Sequence, residues 1–159
     1  MDTDTLLIRY KSNLVVDGRG MYMFGIWGVV KTFMMLFYGE MFTSDLYVEG
    51  VPILLYKAIT ALLVLAFSGL IFFLYYYIGR SAVIVGKTGK KKKVYLFFNF
   101  CLMVLTVISL RGYLDFGNKH TSDMNFVSFV VDLMLLWICT DIFYSALRIN
   151  NLEKKQAGE

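Results

Sequence analysis

Four long apolar stretches constrain the fold of this chain more than any other feature. They are Met21–Tyr38, Pro52–Ile78, Val94–Leu110 and Asn125–Leu147. Each is close to or above the roughly 18–20 residues that an α-helix needs to cross a hydrocarbon core of about 30 Å. A surface helix of a soluble protein keeps a polar face, which these stretches lack. The pattern therefore predicts an all-α integral membrane protein with four transmembrane helices in an up-down bundle.

The segments outside these spans are short. Hydrophobic residues make up 58% of the 159 residues, whereas an ordinary domain has roughly 45–50%. An independent domain rarely has fewer than about 50 residues, so none of the remaining segments is expected to bury its own core. We therefore expect one membrane domain over residues 21–147, a cytoplasmic arm over residues 1–20 and a cytoplasmic tail over residues 148–159.

Basic residues are unevenly distributed among the segments that connect the spans. The arm, the second loop and the tail are basic, whereas the first loop carries only Glu40, Asp45 and Glu49. Segments rich in Lys and Arg resist translocation and remain in the cytoplasm. This charge pattern predicts a multi-pass protein of a plasma or inner membrane, with both termini in the cytoplasm.

The arm contains an amphipathic segment over Thr5–Val16. Its apolar face consists of Leu6, Leu7, Tyr10 and Leu14. Such a stripe beside a basic face favours a short N-terminal interfacial helix. The following Asp17-Gly18-Arg19-Gly20 is typical of a turn, which would lead the chain into the membrane.

Three charged residues lie at comparable depth in the predicted outer leaflet, namely Lys31, Lys57 and Asp132. Ionisable side chains inside a bilayer usually face protein, water or an opposite charge. One interpretation is an ion- or proton-coupling site. The other, which we take as the default, is a structural ion pair that fixes helix packing.

A second polar group is predicted in the inner leaflet, where Asp141 and Ser145 lie one turn apart and Asn99 has a similar depth. Interhelical hydrogen bonding is the expected role of Asp141. Asp132 is nine residues away, about 900° around the helix, so the two acids point to opposite faces. They are not expected to line one continuous pore within a single subunit.

A run of four lysines precedes the third span. It consists of Lys90, Lys91, Lys92 and Lys93. The run is either a topology determinant or a contact for anionic lipid headgroups, which attract such residues by about 1 kcal/mol each near the surface. Nucleic-acid binding is not expected, because no folded module positions the run.

Gly25 and Gly28 share one face of the first span with Thr32. Small residues at such spacing allow another helix to approach closely. We therefore expect this face to pack against a neighbouring helix.

No catalytic motif, metal-ligand spacing or nucleotide-binding fingerprint is present, and His120 is the single histidine. We therefore expect no bound cofactor or metal. The sequence favours a non-enzymatic accessory, assembly or regulatory partner of a membrane complex, in a homo- or hetero-oligomer. The alternative is an oligomeric small channel or ion-coupled transporter that uses Lys31, Lys57 and Asp132.

Overall fold

The structure is a computed structural model that describes residues 3–38, 52–89, 93–114 and 123–158. Four α-helices occupy these ranges, which contain no strand. They are α1 (Thr3–Tyr38), α2 (Ile53–Thr88), α3 (Val94–Leu114) and α4 (Asp123–Gly158). The predicted all-α fold class is confirmed.

Three of the helices are long and apolar enough to cross a membrane. Their qualifying segments are Ile53–Thr88, Val94–Arg111 and Phe126–Gln156. The predicted second, third and fourth spans correspond to these segments. The predicted first span forms the second half of α1, where the side chains of residues 35–38 lie outside the description, so a crossing by α1 stays a prediction.

Local chemistry explains where α2 begins and ends. Pro52, which lacks an N–H group, precedes the helix, and its carbonyl accepts hydrogen bonds from the backbone N–H groups of Leu55 and Tyr56. At the other end Gly89 has a φ of 66°, and its N–H donates to the carbonyl of Val85. This left-handed glycine is the usual way to terminate a helix, because other residues pay a steric cost there.

The predicted turn at residues 17–20 is wrong. α1 is a single helix of 36 residues, about 54 Å long at 1.5 Å per residue. Two glycines weaken a helix by conformational entropy, but helix packing outweighs that cost where a glycine permits close contact. Residues 5–16 are helical, as expected, but they belong to this longer helix. Their placement at a membrane surface stays a prediction.

α2 and α4 also continue beyond the predicted ends of their spans. α2 ends at Thr88 rather than Ile78, and α4 ends at Gly158 rather than Leu147. Arg80 interrupts the apolar run of α2 and Arg148 that of α4, so the hydropathy pattern places the ends of these spans before the two arginines. The first residues of α1 pack on these extensions.

The helices are divided between two compact units. The terminal unit comprises Met1–Met21 and Tyr77–Glu159, and the middle unit comprises Tyr22–Tyr76. In the terminal unit, the first part of α1 and the last part of α2 pack together with α3 and α4 around a common core. Its fully buried apolar and polar residues include Leu14, Met21, Ile78, Tyr95, Asn99, Cys139, Ile142 and Ser145.

The middle unit is a pair of helical segments with a small interface. Tyr22 of α1 contacts Tyr76 of α2, with ring centroids 5.6 Å apart. A Cβ atom on Gly25 would lie 3.1 Å from the Cβ of Tyr75 and 3.2 Å from Cδ2 of Phe72. The two segments therefore run antiparallel, and Gly25 allows their close approach.

Candidate functional site

The first half of α1 packs antiparallel along the last half of α4. Asp4 accepts a 2.6 Å hydrogen bond from Nε2 of Gln156, and Nζ of Lys11 lies 3.5 Å from Oε1 of Glu153. Further along, a Cβ atom on Gly20 would lie 3.2 Å from Cδ1 of Ile138. Residue numbers therefore increase along α1 while those of the contacting residues in α4 decrease, as expected for antiparallel helices.

This register brings two acids together. The carboxyl groups of Asp17 and Asp141 lie close enough for a hydrogen bond. Oδ2 of Asp17 is buried, and no described N–H or O–H group donates to it. Because two carboxylates repel each other and neither can donate, a hydrogen bond between them requires a proton on one of the two.

The pKa of Asp17 is raised from 3.8 to about 7. The largest cause is burial, which disfavours the charged form, and the second is the hydrogen bond with Asp141. The negative charge of Asp141 raises the pKa further. Asp17 therefore holds a proton more strongly than an aspartic acid in water.

An aromatic and basic group flanks the acid pair on the side of the chain termini. The rings of Tyr10 and Tyr144 meet edge to face, with centroids 6.0 Å apart. Nε of Arg148 donates a 2.9 Å hydrogen bond to the hydroxyl of Tyr144. A hydrogen bond with Tyr144 is the main cause that raises the pKa of Tyr10. These contacts attach α1 to α4 next to the carboxyl pair.

α2 approaches the same part of α1 through glycines. A Cβ atom on Gly18 would lie 2.7 Å from the backbone oxygen of Gly79 and 3.1 Å from the Cβ of Ala82. A Cβ atom on Gly86 would lie 2.7 Å from Cγ2 of Val15. Any side chain larger than hydrogen would displace the helices at both points, so the glycines hold α1 in its register.

The inner polar residues of the sequence prediction are found on two different contacts. Asn99 of α3 donates a 2.8 Å hydrogen bond from Nδ2 to the carbonyl of Cys139 in α4. Asp141 contacts Asp17 instead. The buried atoms Oδ1 of Asn99 and Oγ of Ser145 have no hydrogen-bond partner in the described part of the chain.

Ser145 differs from several threonines on the helices. The side chains of Thr32, Thr106 and Thr140 donate to the carbonyl four residues earlier, as hydroxyls in helices commonly do. Ser145 makes no such bond, although it is fully buried. It lies four residues after Asp141, on the same side of α4.

The members of the predicted Lys/Asp cluster are divided between the two units. Lys31 and Lys57 belong to the middle unit and Asp132 to the terminal unit. Asp132 accepts a 3.1 Å hydrogen bond from the hydroxyl of Ser109, which links α4 to α3. The cluster as a whole stays a prediction.

The two predicted packing glycines have different surroundings. Gly25 is buried against α2, whereas a Cβ atom on Gly28 would meet nothing within 4 Å. Of the predicted lipid-contacting lysines, Lys93 is exposed. Lys90, Lys91 and Lys92 lie outside the described residues, and lipid contact stays a prediction.

Sequence reasoning missed Asp17 and the closest glycine contacts. The sequence predicts a turn at Asp17, because Gly18 and Gly20 follow it on either side of Arg19. A signal for the glycine contacts was present, because Gly18 and Gly25 are seven residues apart in α1, as are Gly79 and Gly86 in α2. Small residues that recur every seven positions lie on one face of a helix, where they allow a neighbouring helix to approach closely.

Comparisons with known proteins gave no match. No protein-family model, curated protein or solved structure matches this chain.

Proposed function

We propose that this chain is an integral membrane protein with four spans and cytoplasmic termini, and that it is a non-enzymatic accessory, assembly or regulatory partner of a larger membrane complex. The observation that carries the proposal is an apolar groove on the middle unit that contains hydroxyl residues and lies near two glycines with open space. The partner that fits this surface is a transmembrane helix of another protein.

Few residues of the middle unit are buried. In the most apolar window of α2, 6% of the residues are buried, compared with 28% for α3 and 22% for α4. Large apolar side chains cover its outside, including Met23, Leu54, Leu62, Leu63, Phe67, Leu70 and Phe73. In a bilayer, lipid covers an apolar exterior of this kind equally well, so a partner helix has to be recognised by small and polar residues on this surface.

One face of the middle unit has the character of a helix-binding surface. Thr32 and Ser68 lie in an apolar groove of about 390 Å³, whose other walls are Leu63, Val64, Phe67 and Ile71. Near this groove Gly28 and Gly69 have open space where a Cβ atom would be. Small and hydroxyl residues favour close association of transmembrane helices, whereas contact with lipid alone does not require them.

Photo-crosslinking in native membranes tests the proposal. A photoreactive amino acid replaces Leu63, which lines the groove, and the matched control replaces Leu62, which does not line the groove and lies about 100° around α2 from Leu63. We expect a polypeptide adduct of defined mass from position 63 and predominantly lipid adducts from position 62. An adduct with a second copy of this chain would favour the oligomeric channel or transporter instead. Lipid adducts alone at both positions would contradict the proposal.

A further inference from the structure

We propose that Asp17 and Asp141 form a binding site for a single proton, which joins the first half of α1 to α4. In the protonated site one carboxyl donates to the other. In the deprotonated site two carboxylates face each other and push the two helices apart.

The register of the two helices imposes this pairing. Contacts on both sides of the acids, Lys11 with Glu153 and Gly20 with Ile138, place the two carboxyls opposite each other. On its other side α1 meets the backbone of α2 at Gly18. Because α1 and α2 are already in close contact at Gly18, α1 cannot shift toward α2 and thereby move Asp17 away from Asp141 while the helices stay packed.

No described cation near Asp17 replaces the proton by neutralising the charge of the carboxylate. Asp141 is the titratable group that faces Asp17 from α4. α2 faces this part of α1 with Gly79, Ala82 and Val83. The neighbouring cations Arg19 and Arg80 have exposed side chains, and neither contributes to the shift in the pKa of Asp17.

One further observation agrees with an occupied proton site. Oδ2 of Asp17 is a buried oxygen without a described donor, and buried polar atoms are rarely left unpaired. Asp141 also lines an open groove of about 430 Å³ beside Tyr144, so this side of the pair is not closed by the described helices.

The sign of the pH dependence follows from the pKa of Asp17. Its value is about 7 in the folded protein and 3.8 for the ordinary side chain. Between these values the folded state binds more protons than the unfolded state, so stability falls as the pH rises. Below about pH 4 and above about pH 7 this contribution is constant.

The test compares the thermal unfolding of the full-length protein in mild detergent with that of Asp17→Asn and Asp141→Asn, from pH 4 to pH 8.5. An amide is uncharged and donates a hydrogen bond at every pH. The increase in Tm of Asp17→Asn over the unmodified protein is therefore expected to be small at pH 4, to grow up to about pH 7 and to stay constant above it. For Asp141→Asn the growth is expected to be smaller, because burial still disfavours the charged form of Asp17. Asp132→Asn, on the same helix, is the matched control and is expected to show no such growth.

Infrared difference spectra give a second, direct measurement. The unmodified protein should show the C=O band of a protonated carboxyl that disappears with a midpoint near pH 7, and Asp17→Asn should lack this band. A missing band, or a Tm difference that does not change with pH, would overturn the proposal. It would equally be overturned if sodium or potassium ions restored the Tm of the unmodified protein at pH 8, because the ligand would then be a metal cation.

Discussion

Individual glycines decide how closely the helices of the terminal unit approach. The contact between Gly18 and the backbone of Gly79 leaves no room for a methyl group. Gly28, on the same helix, has open space at the corresponding position. The two residues therefore provide a matched pair in which one substitution adds a clash and the other does not.

Replacing Gly18 by alanine should destabilise the protein. Overpacking of this kind costs about 1–3 kcal/mol, which exceeds the gain of about 0.5–1 kcal/mol from the better helix propensity of alanine. Gly28→Ala should retain that gain and be neutral or stabilising. Thermal unfolding in mild detergent measures both variants. Equal effects of the two substitutions would contradict the close contact of Gly18.

The sequence predicted some of the polar residues but not their partners. Asp141 was recognised because a charge within an apolar helix is conspicuous. Asp17 was not, because the glycines around it resemble a turn and its burial depends on contacts that only the folded chain forms. Pairing of distant residues requires the register between two helices, which a hydropathy pattern does not contain.

At the scale of helices, the apolar pattern located the elements well. The structure has helix ends at Tyr38, Ile53 and Val94, and the predicted spans place them within one residue. The pattern failed where the helices become polar, because charged and amide side chains beyond the predicted spans pair with each other, which a hydropathy pattern does not show. The first half of α1 contacts the end of α4 through Asp4 and Lys11.

Chemical crosslinking tests this packing of α1 on α4. A carbodiimide should join Nζ of Lys11 to the carboxylate of Glu153, since the atoms of this half-buried pair are 3.5 Å apart. Mass spectrometry of the digested protein would then show the two terminal peptides linked. Lys11→Arg should abolish the link, whereas Lys87→Arg, which removes an exposed lysine at the end of α2, should leave it intact. If the first half of α1 instead lay alone on a membrane surface, the unmodified protein would show no link.

At the scale of the whole molecule, the hydrophobic segments and the charges of the loops are consistent with a single membrane topology. Three helices have the length and composition to cross a membrane, and the proposed crossing by the second half of α1 makes four spans. With four spans both termini are on one side, together with the basic second loop. The proposed role of the middle unit as a partner-binding surface depends on this arrangement, because it requires the unit to lie in the bilayer.

Cysteine accessibility in intact cells tests the four-span arrangement most directly. In a background where Cys101 and Cys139 are replaced by alanine, single substitutions Ser44→Cys, Ser122→Cys and Thr88→Cys are treated with a membrane-impermeant thiol reagent. Four spans with cytoplasmic termini predict labelling of positions 44 and 122 from outside, and labelling of position 88 only after the cells are opened, because basic segments remain inside. Labelling of position 88 in intact cells, or protection of position 44 or 122, would contradict the arrangement.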